Sequence, residues 1–480
     1  MKTSNINNIA DIAVVGSGIG GALISALNKD KNLILFEQDK NLGGCASTFK
    51  KNGNYYNAGA TTFVGYEENH PVKNVFDKAG FIPDIKKSEV AIRIMQNGKT
   101  LDRVKDFDTF LENLNEIYPH KNNKIFWSKI KELDEKFWNF KNVYFAKYSL
   151  NSYIKTISSN MQLFTIFGFD ILKDADTFID EILVDISKEY KDFINSQLLI
   201  TLQTTSENVS LISLALGLSY PFHDVFYVNG GMGALFDGLL KDIDVHKKEK
   251  ILNIKKEKDF YRIISNQNEY KSKKVILNSS TYDSASLFDD ENIKKYYNNF
   301  SFSDQSAFVI YLSIKKENIK EELLHHYQIL LNENIPNSIS NSFFVSVSSS
   351  DDKKMTNDCY SLTISTHTKA LYWKNLPIQT YEEQKAITQD FIINEFLNNF
   401  PNIKKSDIKN CESATSKTFK RYINRYNCGG KAITLKNILQ TPTCNTPFEN
   451  LHSVGDTVFA GQGWPGIALG VDILNKELNE

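Results

Sequence analysis

Gly16-Ser-Gly18-Ile-Gly20-Gly21 follows an apolar run, Ile12 to Val15, and Glu37 stands sixteen residues beyond Gly21. Residues of these types at this spacing can hold a dinucleotide. Gly16 permits a tight turn, Gly18 lets backbone approach a pyrophosphate, and Gly21 lets the next helix pack close to its strand. A helix over roughly Gly20 to Asn28 would aim its partly positive N-terminus at the phosphates. Leu33 to Phe36 reads as a second strand with Glu37 at its carboxyl end. A carboxylate there accepts hydrogen bonds from both ribose hydroxyls and repels a 2′-phosphate. Glycines alone are a weak signal. Strand, glycines, helix, strand and acid, in that order within about 25 residues, are a strong one.

A second constellation lies near the C-terminus. Leu451-His-Ser-Val-Gly455-Asp456 reads as a strand ending in Gly-Asp, followed by Phe459-Ala-Gly461-Gln-Gly463-Trp-Pro465-Gly466-Ile467. An aspartate at such a strand end can approach a ribityl hydroxyl or order water on a pyrophosphate. A helix beginning near Gly466, with Pro465 close to its first turn, would add a second positive N-terminus.

The elements that position these groups follow from periodicity. Phe107 to Tyr118 and Lys124 to Phe145 carry helix-spaced apolar residues, as does Tyr381 to Phe400. Residues 173 to 220 and Pro71 to Ala79 also read as helical. Val90 to Met95 and Thr100 to Val104 alternate around Asn97-Gly98, a hairpin signal. Ile251 to Ile254 and Asp259 to Ile264 read as short strands, and Val275 to Asn278 as a buried one. Phe308 to Ile314, Phe343 to Ser348 and Ser361 to Ile364 read as one antiparallel sheet. A further glycine turn, Gly230-Gly-Met-Gly233, leads into a helix. Glycine signals near 16, 230 and 463 predict a cofactor domain assembled from separated segments: 1–70, 225–285 and 410–480. The intervening 71–224 and 286–409 then form an inserted substrate-binding domain with a helical cap. Aromatics at Phe126, Trp127, Phe137, Trp138, Phe140, Tyr144 and Phe145 read first as helical core and second as the wall of an apolar substrate tunnel.

Composition narrows the function classes. The 480 residues carry 56 Lys plus Arg against 57 Asp plus Glu. No basic stripe interleaved with aromatics appears, so nucleic acid is not an expected partner. Five cysteines, none in a CxxC pair, read as reduced thiols of a cytoplasmic protein. No signal peptide is expected, and no apolar run reaches membrane-spanning length. Met161 to Leu172 reads first as a core helix and second as a surface that dips into a bilayer.

The pieces Gly16–Gly21, Leu42-Gly-Gly-Cys-Ala-Ser-Thr48, Gly59-Ala-Thr-Thr62, Gly230–Gly233 and Gly455–Gly463 fall in an order that resembles the phytoene desaturase family, which includes carotenoid isomerases and retinol saturases. Ala414-Thr-Ser-Lys-Thr-Phe419 resembles that family's motif upstream of the last cofactor strand. The Gly-Gly-Cys form at 43–45 is closer to the isomerase and saturase branches. Two departures stand out: Asn57 where Asp is common, and Ser416 where Pro is usual.

The resemblance implies an α/β fold: a Rossmann-like, glutathione-reductase-like FAD-binding domain with an inserted α+β domain containing an antiparallel sheet and a helical cap. It implies FAD as cofactor. Carried over, Gly16, Gly18, Gly20 and Gly21 hold the pyrophosphate, and Glu37 with Gln38 the adenosine ribose. Gly44, Ala46 and Ser47 line the diphosphate and ribityl path. Ala60 and Thr61 lie near the isoalloxazine, and Ile251 flanks the adenine. Gly455 and Asp456 face the pyrophosphate or ribityl chain, and Gly463, Gly466 and Ile467 border the ring.

The activity it implies is desaturation, isomerisation or saturation at carbon–carbon bonds of a long isoprenoid or carotenoid-like molecule. Hydride transfer would occur at flavin N5, with the protein positioning the substrate. A single dinucleotide fingerprint argues against a built-in NAD(P)H site. Electrons are expected to leave to a quinone, oxygen or a redox partner, and peripheral membrane contact suits a lipid-soluble substrate. No catalytic acid or base is named by the sequence. His223, His325, His326 and His367 are candidates by type and read first as structural. Arg421 and Arg425 read first as surface residues and second as groups near the tunnel or binding an anionic substrate group. Two rivals share the fold: a flavin amine oxidase, for which Trp464 is a lone aromatic candidate, and a non-catalytic prenyl-lipid carrier.

Overall fold

The computed structural model describes residues 9–300, 302–434 and 436–479. Two large sheets organise the chain. The first has the strand order Asp244–Lys247, Leu33–Glu37, Ile9–Val15, Glu269–Leu277, Tyr261–Ser265, Ile251–Lys256. The first four strands pair in parallel, and Leu451–Ser453 joins the end of Glu269–Leu277, also in parallel. Within the strand Ile9–Val15, residues Ile12 to Val15 are all apolar and buried because both faces are covered there. Ile12 and Val14 pack with the helices Ile19–Leu27, Pro71–Ala79 and Gly463–Leu478. Ala13 and Val15 pack the opposite way, with Ile251, Ile293 and Tyr297.

The second sheet runs Ile408–Ala414, Gln305–Lys315, Cys359–Lys369, Ser342–Val347, His326–Leu330, Val90–Gln96, Lys99–Val104. The three predicted strands are its centre. The Asn97-Gly98 hairpin, with both residues at positive φ, extends the same sheet by pairing Val90–Gln96 in parallel with His326–Leu330. One face packs on the helix Ile378–Asn399, and part of the other lies under the helical cap of residues 107–219.

Several boundaries differ from expectation. The helix Pro71–Ala79 belongs to the cofactor core: Val72, Val75 and Phe76 are fully buried against Leu23 and Val471. Strand Ile408–Ala414 extends the second sheet, so the cofactor-binding segment does not simply begin at 410. The helix expected over Lys124 to Phe145 is Asn123–Asn139, and the chain then runs extended across 142–146. The two readings of the aromatic stripe divide at this break. Phe126 and Trp127 are core, whereas Trp138 and Phe145 line a cavity.

The Met161 to Leu172 run is not a core helix. It ends the helix Leu150–Phe167 and continues as a 3-10 turn. This helix is amphipathic with its polar stripe inward. Ser152, Thr156 and Ser159 are buried, and Thr156 and Ser159 bond the extended 144–146 segment. Leu150, Ile154, Ile157, Met161 and Phe164 point outward, and Phe169 beyond them is 81% exposed. Among the described residues, no helix is long and apolar enough to cross a membrane.

Candidate active site

The first glycine turn joins the strand Ile9–Val15 to the helix Ile19–Leu27. Gly16 adopts φ +100°, which excludes most other residues. Gly21 must lack a side chain because a Cβ would lie 2.0 Å from the Gly16 carbonyl oxygen. Gly18 caps the helix with no side-chain bond, so its first-turn amides have no partner from the cap.

Glu37 sits at the end of its strand as expected, and Ser17 ties it to the turn. One Glu37 carboxylate oxygen accepts from the Ser17 amide at 3.0 Å and its hydroxyl at 2.6 Å, and the other from the Asp39 amide at 2.8 Å. Burial raises the Glu37 pKa, opposed by these bonds. The Ser17 hydroxyl also accepts from the Gly43 amide at 3.1 Å, and Gly18 and Gly43 pair as an isolated bridge. Two glycine loops distant in sequence are thereby joined.

The C-terminal Gly-Asp reaches the same place. A Cβ at Gly20 would lie 2.9 Å from the Gly455 amide nitrogen. Asn278 stands between them: its side chain is 2.7 Å from the Cβ position of Gly18 and of Gly20 and 2.9 Å from that of Gly455. Sequence reasoning missed Asn278 as a clasp. The available signal was a polar residue at the carboxyl end of a buried parallel strand, where open α/β sheets place their ligands.

A cavity of about 940 Å³ connects these parts. Its wall includes Glu37, Gly44, Ser47, Ala60, Thr61, Asp456, Gly463, Gly466 and Ile467, all expected at the cofactor. The wall continues through Trp138, Phe145, Leu163, Phe167, Ile212 and Phe344. The second sheet supplies its floor through Val309, Tyr311, Ser365 and His367. Tyr311 donates to the Ala58 carbonyl at 2.6 Å, fixing the Gly59–Thr62 loop to that floor.

The turn glycines Gly16, Gly18, Gly20, Gly21 and Gly455 are not part of this wall, and three further expected contacts have side chains that lead elsewhere. Ala46 is fully buried in the core beneath the loop. Gln38 turns away and donates to the Tyr422 carbonyl at 2.7 Å. Ile251 packs with Val15 and Phe36 behind the strand ends. In each case the backbone position is close but the alternating or turn direction of the side chain takes it elsewhere. The Gly230–Gly233 turn is also closed. Its amides are taken by Asp352, Asn57 and Thr48, which makes Asn57 a helix-capping acceptor here.

The strongest electrostatic feature bears out the second reading of Arg425, which lies on the cavity wall. Arg425 is 8% exposed and grips Asp456 with two bonds, at 2.8 and 2.6 Å. It also donates to Cys45 Sγ at 3.2 Å. Burial alone would raise the Asp456 carboxyl, but the Arg425 guanidinium carries it below the ordinary value. Arg421 is exposed, as expected.

The candidate histidines separate. His223 bridges Asp134 at 2.6 Å and Glu67 at 3.2 Å, tying the cap to the 66–70 loop. Burial alone would lower its pKa, but the two carboxylates raise it to about 9. His325 stacks on Tyr227, and His326 contacts the Ala91 carbonyl and the Thr62 hydroxyl. Only His367, among these four, lies on the cavity wall.

Comparison with known proteins agrees with this arrangement. Residues 14–79 match the model of an NAD(P)-binding Rossmann-like domain. The chain is 24% identical over 499 residues to prolycopene isomerase 2 of an Oncidium hybrid cultivar, covering 95% of this chain and 82% of that protein. An oxidoreductase from Methanosarcina mazei superposes with a TM-score of 0.66 at 16% identity, covering 97% of this chain and all of that one. A CLA-producing fatty acid isomerase from P. acnes superposes with a TM-score of 0.58 at 14% identity, covering 97% and 98%. The ordered glycine motifs, the joined loops and relatives matched over 95% of the chain agree with the resemblance to the phytoene desaturase, carotenoid isomerase and retinol saturase family of FAD-dependent oxidoreductases.

Proposed function

We propose that this chain desaturates, isomerises or saturates carbon–carbon bonds of a long, apolar, isoprenoid or carotenoid-like molecule. One observation carries the reading: a single cavity extends from Glu37 to apolar walls of the helical cap. FAD, when bound, supplies hydride transfer to or from a carbon of the substrate. The residues present fit that group. Glycines clear the pyrophosphate path, Glu37 offers carboxylate oxygens for the adenosine ribose, and the Ala60–Thr61 and Gly463–Ile467 backbones flank the ring position. The Arg425–Asp456 pair holds its charges in one fixed orientation at the 455–463 loop. Trp138, Phe145, Leu163 and Phe167 exclude water and align the chain by contact area. In a desaturation electrons would leave to a quinone, oxygen or a redox partner, whereas in an isomerisation or saturation reduced flavin would donate to the polyene. An amine oxidase reading receives less support, because Trp464 is buried against Phe63 and Phe236 rather than standing as one of an aromatic pair.

The test is direct. Purified protein is expected to be yellow, with close to one FAD per chain, and to convert or isomerise a long isoprenoid polyene in detergent or vesicles. Colourless protein that still extracts lipid would instead support the carrier reading.

The outward apolar stripe supports work at a membrane surface. Phe167 and Ile171 line the cavity while Met161, Phe164, Phe169 and Leu172 face outward from the same segment. Each large side chain leaving water gains roughly 1.5–3 kcal/mol. The protein is expected to float with liposomes. Replacing Leu150, Ile154, Ile157 and Met161 by serine should abolish flotation and leave flavin content intact; unchanged flotation would remove this helix as the docking element.

A further inference from the structure

The cavity floor holds one ionisable group whose position neither the fold nor the cofactor requires. His367 and Ser365, two residues apart on the strand Cys359–Lys369, both face the cavity. Arg425, Glu37 and Glu412 of the wall are paired, with Asp456, Ser17 and Lys51 respectively. The His367 ring has no hydrogen-bond or charged partner among the described residues, although its backbone carbonyl accepts from the Ile339 amide. Ala307, directly opposite in the sheet, presents only a methyl group to it.

The neighbouring lining is amide-rich. Gln305, two positions from Ala307, donates to Gln203 Oε1 at 3.1 Å and to the carbonyls of Cys428 and Gly430. Gln203 and Gln462 meet beside Gly429, where a Cβ would lie 3.1 Å and 1.9 Å from their Oε1 atoms. The Gln462 Oε1 atom is buried with no partner. Polar groups thus gather at one end of a cavity whose remaining cap walls are aromatic and aliphatic.

We infer that the substrate is an alcohol rather than a pure hydrocarbon, and that its hydroxyl binds His367, which makes His367 a specificity-determining residue. The inference rests on the cavity being the substrate chamber. Burial lowers the His367 pKa to about 4, so the ring is neutral at pH 7. A neutral imidazole presents one N–H donor and one nitrogen acceptor, and a hydroxyl presents the complementary pair. A carboxylate offers acceptors alone and brings an uncompensated charge to a wall whose nearest buried cation already serves Asp456. A hydrocarbon filling the cavity would leave the ring desolvated and unbonded, which is unfavourable.

Binding of farnesol, farnesene and farnesoic acid to the flavin-loaded protein, followed by tryptophan quenching, tests this. The wild type should bind farnesol at least roughly ten-fold tighter than farnesene, a difference of about 1.4 kcal/mol. His367→Phe should bring the two affinities together. His367→Asn, which keeps a donor and an acceptor, should retain the preference and serves if the Phe variant does not fold. Equal affinities in the wild type, a preference for the acid, or a preference surviving in His367→Phe would overturn the assignment. Binding of neither probe by yellow protein would overturn the substrate chamber as well, whereas equal binding overturns only the role of His367.

Discussion

A Gly18→Asp variant is expected to fold and to emerge from purification without FAD. The helix Ile19–Leu27 would not suffer by itself, since aspartate is a favourable cap and its charge suits a helix N-terminus. The damage is to the space and the charge in front of that helix. Gly18 pairs with Gly43, and Gly44 would place a Cβ only 3.6 Å from the Gly18 Cα. A side chain at 18 must also displace Asn278, whose amide lies 2.7 Å from the new Cβ. The added carboxylate would stand where phosphate is to bind the free amides. The affinity loss should reach at least roughly a thousand-fold, equivalent to about 4 kcal/mol. The ratio of absorbance at 450 to that at 280 nm, read beside far-UV circular dichroism, measures it. A folded variant with full flavin content would refute the placement of the cofactor at this turn.

Arg425→Met should be the most destabilising single change at the site. It removes both bonds to Asp456 and leaves a carboxylate facing a desolvated wall. Breaking a buried pair in this one-sided way costs about 3–5 kcal/mol. The pH dependence has a defined sign. In the wild type the Asp456 pKa is lowered, so the pair contributes above the unfolded carboxyl value and fades as pH falls through the folded one. In the variant, burial is opposed only by backbone hydrogen bonds at Asp456 and Gly429, and the carboxyl is expected to rise above its unfolded value. The variant should therefore lose most stability at neutral pH and recover toward the wild type as the medium is acidified. Thermal melts at pH 5 and pH 8 test this, and an Arg425→Met/Asp456→Asn double variant should regain much of the loss. If the single and double variants melt alike at pH 8, the uncompensated charge is not the cause.

Both predictions use residues that were unequally visible in the sequence. Gly16, Gly18, Gly21 and Glu37 were legible because a dinucleotide turn is local: backbone freedom, helix start and strand-end acid all lie within one βαβ unit. The antiparallel strands and the long helix near 378–399 were legible for the same reason, since periodicity reports which face is buried. Arg425 was not legible. Its neighbours Arg421 and Tyr422 are exposed, and nothing in the local pattern tells an arginine that it will meet an aspartate thirty-one positions later. For Met161 to Leu172 the first reading, a core helix, fails: Ser159 and Thr156 of the helix Leu150–Phe167 bond the 144–146 segment, which turns the apolar residues outward.

The amino-acid sequence alone determined the nucleotide fingerprint, the order of the glycine segments and hence the family resemblance, because each is written in contiguous residues. Tertiary structure alone decided that Asn278 clasps three glycines, that Arg425 neutralises Asp456 and that only His367 of the four candidate histidines faces the cavity. Those outcomes depend on which distant strands come to lie side by side, and chain spacing carries no record of distances across a fold.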